Sequence, residues 1–140
     1  MAIKGYTLDT NIIRALMDRN QSVLDKINTA YSLGLHVTLN AIAYYETKRG
    51  LEYAQKANLI TRFNELCQNI EILYIDEKKI LDYAAFLWAT LEKSGSKIGE
   101  ESRDYDILIA SIAVVKNYIL VTANSNHFKR VPGLQFENWL

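Results

Sequence analysis

One cysteine, one proline, two histidines and six glycines among 140 residues leave several architectures without material. A lone Cys67 forms no intrachain disulfide and founds no cysteine-based zinc site. His36 and His127 lie far apart in the chain, which argues against a structural zinc site of any other kind. Pro132 and the few glycines leave little room for linkers, and no repeat or low-complexity tract interrupts the chain. One domain over residues 1–140 is therefore expected, long enough to bury roughly two-thirds of its unfolded surface. Charge of one sign is missing too, because sixteen basic residues balance sixteen acidic ones. Without a chain-wide positive field, a nucleic-acid partner has to be met by a local patch or by metal ions. No window approaches the ~20 apolar residues of a membrane span. The N-terminus shows no basic segment, apolar run and small-residue cleavage site in the order of a secretory signal, so the cytoplasm is the expected compartment and no membrane partner is expected.

What is present is an ordinary globular balance, 49% hydrophobic and 23% charged, with enough apolar residues for a real core. "IKGYTL", "LHVTLN", "IEILYI" and "YILVTA" read as buried strands, and "LQFENWL" as a short terminal one. Between them run helical patterns. "SVLDKINTAYSLG" spaces its apolar residues as one face of a helix and ends at Gly34. Asn40 is placed to cap a long helical stretch from Ala41 to about Cys67, with a break expected near Gly50. "EKKILDYAAFLWATLEKSG" is amphipathic, whereas "YDILIASIAVVKN" is apolar nearly all round, as a deeply packed helix is. Alternating strands and helices predict an α/β fold in three layers, with a mostly parallel sheet of four or five strands covered on both faces.

Polar groups intrude on this pattern at four places. Asp9 ends the first strand, and Asn124 follows the fourth. Glu46 shares a helix face with Ile42 and Ala43, and Asp106 opens the most hydrophobic helix, one turn before Ile109 and Ala110. Each has a plain reading. Asp9 and Asn124 can be helix caps, Glu46 a solvated neighbour of Lys48 and Arg49, and Asp106 a first-turn acid that suits the helix dipole. Together they have another, since open α/β sheets bind ligands at the carboxyl ends of their strands. Two carboxylates ~4–5 Å apart repel by roughly 3–4 kcal/mol at an effective dielectric near 20. They share protons or hold a cation, and all-oxygen ligands favour Mg²⁺ or Mn²⁺. No glycine-rich turn follows the first strand, which excludes a dinucleotide fold, and Asn11 stands where an Asp-x-Asp phosphatase needs its second acid.

The blocks "YTLDTNIIRALM", "LNAIAYYETKRGL", "DYDILIASIAV" and "ILVTANSNHFKRVPGLQFENW" resemble, in order, those of PIN-domain proteins, above all the VapC-type ribonuclease toxins of toxin–antitoxin modules. The likeness runs from the first strand to the terminal tryptophan. It implies an α/β/α fold and a metal-dependent endoribonuclease of a type II toxin–antitoxin system, in which Asp9, Glu46 and Asp106 match the acids that hold Mg²⁺ or Mn²⁺. Asn124 matches a fourth catalytic position that is Asp in many members and Asn in others, and as an amide it brings no charge. Asp104 resembles an auxiliary acid of some members, with helix capping as its alternative. Asn11 and Thr122 match polar positions near the acids and are expected to orient them, with helix capping or turn formation as the alternative for both. His127 is a candidate general acid, but it falls where an acidic residue is common and is expected on the surface, in a short helical turn. Glu100 and Glu101 are expected near the mouth of the site.

The reaction implied is hydrolysis of an RNA phosphodiester by metal-activated water, on tRNA or a ribosomal RNA loop. Lys48, Arg49, Lys129 and Arg130 are candidate phosphate contacts, or ordinary surface cations. A cognate antitoxin and a homodimer are the implied partners, and the tyrosines and leucines after Asn40 offer either a groove for the antitoxin or core. The competing function is a PIN-like module that binds RNA or protein without cutting.

Overall fold

The computed structural model describes residues 2–95 and 103–140, the side chain of Arg103 excepted. Among the described residues, five strands form one sheet: β1 Gly5–Leu8, β2 His36–Asn40, β3 Glu71–Leu73, β4 Tyr118–Val121 and β5 Phe136–Glu137. Their order is β3-β2-β1-β4-β5, and every pair is parallel. Seven helices connect them: α1 Thr10–Met17, α2 Gln21–Ser32, α3 Ala41–Ala54, α4 Ala57–Gln68, α5 Lys78–Ser94, α6 Arg103–Lys116 and α7 Ser125–Phe128. Glu100 and Glu101 lie outside the described residues.

Strand alternation divides the core into two. Leu8 pairs in register with Leu39 and Val121, and these three pack with Ile12, Ile13, Val23, Ala43 and Phe63 of α1 to α4. The neighbouring register, Thr7 with Thr38 and Leu120, looks the other way, where Leu120 meets α5 and α6 through Leu87, Ile109 and Ala113. Each fully buried Leu, Ile or Phe in these layers contributes about 1.5–3 kcal/mol. Helices on both faces leave the strands no wet side, which is why they read as nearly continuous apolar runs. Gly5 starts β1 because β2 approaches so closely there; a Cβ at this position would stand 2.1 Å from the carbonyl oxygen of His36.

The long helical stretch divides, but not at Gly50. α3 continues through it to Ala54, and the turn is made by Gln55 in the left-handed region (φ 54°). Gly50 is exposed and weakens α3 there without stopping it, since a helix tolerates one glycine at about 0.5–1 kcal/mol. Asn40 caps α3 as expected, its Oδ1 accepting from the Ala43 N–H at 2.8 Å.

Candidate active site

The strand order reverses between β1 and β4. Chain excursions after β1 build the sheet towards β2 and β3, whereas β4 returns to the far side of β1. The crevice at such a reversal, beyond the carboxyl ends of the strands, is where a doubly covered sheet can take a ligand. Asp9 follows β1 and Thr122 follows β4, and the ladder continues to both, Asp9 N–H donating to Val121 and Thr122 N–H to Glu137. Two polar side chains are thus delivered to one point by adjacent strands.

Asp9 is buried and fully engaged. Its Oδ1 accepts from the Thr10 N–H at 2.8 Å, as a helix cap, while its Oδ2 accepts from the Thr122 hydroxyl at 2.8 Å. Thr10 also donates its hydroxyl to Glu46 Oε1 at 3.1 Å, so one residue bridges two acids. Glu46 is half-buried on α3. Asp106, on the first turn of α6, is buried, and its Oδ2 lies 3.2 Å from Nδ1 of His127. Asn11 does not orient an acid; its Oδ1 accepts from the Ala123 N–H at 3.0 Å and ties the β1–α1 turn to the loop after β4.

Asp106 and Glu46 each feel the charge of a neighbouring acid. Burial, then the charges of Asp9 and Glu46, push the Asp106 carboxyl up to about 6, against the opposing pull of His127. Burial raises Asp9 as well, partly offset by the hydrogen bonds from Thr122 and Thr10. Glu46 is raised by burial and by Asp9, and held back by Thr10 and by the charge of Arg49. Like charges confined in one partly dry pocket cannot all ionise freely without a counter-charge.

Their oxygens suit a hard divalent cation by chemistry and by charge. As placed, however, Glu46 is drawn to Thr10 and Asp106 to His127, and no three acidic, histidine or cysteine side chains among the described residues stand close enough to grip one ion together.

Other expected positions fall differently. Asp104 is exposed, and two places along a helix from Asp106 it does not share that residue's face. Asn124 is exposed, with its backbone N–H on the Thr122 hydroxyl and no side-chain cap bond to α7. Lys48 reaches away to Asn64 on α4 at 2.6 Å, two positions round α3 from Glu46. Arg49 shares the face of Glu46, and Lys129 and Arg130 are exposed just after α7. His127 lies part-exposed in the short helix α7, as expected, but faces Asp106. One participant escapes a reading of the sequence, since Thr10 looks like an ordinary first-turn residue. Its place beside an acid at a strand end is the signal that could have found it.

A PIN domain profile matches residues 6–134. Ribonuclease VapC1 of Haemophilus influenzae strain R2866 is 32% identical over 136 residues, spanning 96% of this chain and 97% of that protein. The chain belongs to the PIN-domain family, in its VapC ribonuclease-toxin branch. The tRNA(fMet)-specific endonuclease VapC of Salmonella typhimurium is 26% identical, over 96% of this chain and 97% of its own length. The crystal structure of VapBC2 from Rickettsia felis, bound to a DNA fragment from its promoter, superposes with a TM-score of 0.85 at 28% identity, covering 96% of this PIN domain and 98% of that chain. The α/β architecture of this PIN domain and its activity as an endoribonuclease toxin follow from that membership. No helix of the described residues is long and apolar enough to cross a membrane.

Proposed function

We propose that this toxin cuts a phosphodiester of folded RNA at the pocket of Asp9, Glu46 and Asp106, with Mg²⁺ or Mn²⁺ held by those three acids. The observation that carries the reading is the convergence of three partly or fully buried carboxylates, from the end of β1, from α3 and from α6, at the reversal point of the sheet, with Thr10 bonded to both Asp9 and Glu46. A bound ion supplies Lewis-acid charge at the scissile phosphate. The side chains supply the rest. Thr10 and Thr122 hold one oxygen each of Asp9 and so set the plane of its carboxylate. His127 lies against Oδ2 of Asp106 and so helps to fix the carboxylate. Glu46 keeps Oε1 on the Thr10 hydroxyl, which leaves Oε2 to ligate the ion and position the attacking water. Asn124 adds at most an amide oxygen at the rim. Asp104 is left out of the set.

A tRNA is the first substrate to test, because relatives from Salmonella typhimurium and Shigella flexneri are named tRNA(fMet)-specific endonucleases. The partners proposed are a VapB-type antitoxin, in keeping with the VapBC complexes among the similar structures, and a second copy of the chain, as the family resemblance implies. A groove of about 430 Å³ between α1 and the α3–α4 pair, lined by Met17, Leu51, Leu59, Arg14 and Lys56 and bordered by Thr10 and Glu46, offers the antitoxin a seat that reaches the acids.

The test is cleavage of purified tRNA with mapping of new 5′ ends. Cutting is expected with Mg²⁺ or Mn²⁺ and none in EDTA. Asp9→Asn and Asp106→Asn are each expected to slow it more than the 10–100-fold typical of groups that only orient ligands. Full activity in EDTA, or in either variant, refutes the assignment.

A further inference from the structure

Tyr45 immediately precedes Glu46, and Tyr105 immediately precedes Asp106. α3 and α6 bring the two rings edge to face, with centroids 6.1 Å apart and planes at 86°. Arg49, one turn along α3 from Glu46, lays its guanidinium 5.2 Å from the Tyr45 centroid and 5.6 Å from that of Tyr105, with Nη1 3.4 Å from the Tyr105 hydroxyl. The cluster sits beside the acids, since the charge of Arg49 is felt at Glu46. It is also wet. Tyr45 is 49% exposed and Arg49 is exposed, so the rings are not there merely to be buried between two helices.

The pocket beside them has a problem that this cluster answers. Carboxylates repel the phosphates of RNA, and a chain of zero net charge offers no long-range attraction to compensate. Single-stranded RNA is held elsewhere in nature by stacking its bases on aromatic rings and on arginine planes, with cations on the backbone. Arginine serves both purposes, being planar and permanently charged.

We propose that Tyr45, Tyr105 and Arg49 form a stacking subsite for the nucleobase next to the scissile phosphate, in an unpaired stretch of RNA. This rests on the reading of the neighbouring acids as a ribonuclease centre. The subsite holds the base by its face and so selects for flexible, unpaired nucleotides, while Arg49 also neutralises the adjoining phosphate.

Binding is measured in EDTA by fluorescence anisotropy, with a labelled single-stranded RNA of about ten nucleotides, a length within the range of such sites. The Tyr45→Ala/Tyr105→Ala variant is expected to bind about tenfold more weakly or worse, the loss of one to two stacked bases. Tyr45→Phe/Tyr105→Phe, which keeps both rings, is expected to bind like the wild type, as is Tyr31→Ala at the opposite end of the sheet. An otherwise identical RNA with abasic nucleotides is expected to bind the wild type as weakly as it binds the alanine variant. Arg49→Gln is expected to weaken both RNAs alike and to lower the salt dependence. Equal binding of normal and abasic RNA by the wild type overturns the subsite, as does a loss of antitoxin affinity in the alanine variant with RNA binding intact. Stacking-dependent binding without any metal-dependent cleavage keeps the subsite and removes the ribonuclease assignment of these acids.

Discussion

Asp106 enters the protein interior with His127 as its hydrogen-bond partner and with Asp9 and Glu46 as charged neighbours. In the unfolded chain it releases its proton near 3.8; in the fold it holds the proton to about 6. Between those values the folded state binds more protons than the unfolded one, so stability falls as pH rises through the window. Above pH 6 the ionised carboxylate is a destabilising charge in the metal-free fold. In EDTA, chemical denaturation is therefore expected to show a more stable protein near pH 5 than near pH 7. Asp106→Asn is expected to raise stability at pH 7 and to flatten that slope. A wild type that gains stability from pH 5 to 7, unchanged in Asp106→Asn, would contradict the crowding of charge described here. At this scale much was legible. Thr122 meets a carboxylate as the resemblance implied, Asn11 takes the turn-forming alternative, and His127 meets an acid that no local pattern announced, because hydrogen-bond partners 21 or 112 residues away are chosen by the fold and not by neighbours in the chain.

α3 shows what an element can and cannot announce. Its start was readable, since Asn40 is a strong cap and its side chain bonds the Ala43 N–H. Its end was misplaced, because glycine is the usual sign of a stop and the actual turn falls to Gln55, held left-handed at φ 54°. That conformation disfavours a residue with a Cβ and is free to glycine. Gln55→Gly is accordingly expected to stabilise the protein by about 0.5–1 kcal/mol, read as a higher denaturant midpoint at unchanged slope. A lower midpoint would mean that Gln55 makes contacts worth more than its strain. α6 was the easiest helix to read. Ile107, Ile109, Ala110, Ile112 and Ala113 are all buried, so its lack of a polar face reported its place against the sheet.

At the scale of the whole molecule, the acids stand at the end of β1 and on α3 and α6, so an ion held by all three would join elements separated by most of the chain. Such an ion binds the native state and not the unfolded one, and stabilises it by mass action. Mn²⁺ at about a hundred times its dissociation constant is expected to add about 2.7 kcal/mol, seen as a raised melting temperature that depends on concentration. In Asp9→Asn the shift should shrink or vanish. An equal shift in both proteins would place the ion elsewhere.

Composition and periodicity by themselves determined the alternation of strands and helices and the parallel, doubly covered sheet, because a strand with no wet face has to be apolar along its length. They also marked Asp9, Glu46 and Asp106, since a charge set into an apolar run is costly to bury unless a partner or an ion compensates it. What they could not decide was how those charges are held. The bridge of Thr10 between two acids, the turn of His127 towards Asp106 and the meeting of Tyr45 with Tyr105 exist only once β1, α3, α6 and α7 are packed. Contacts between distant segments are set by the geometry of the packed layers, and no local pattern carries that information.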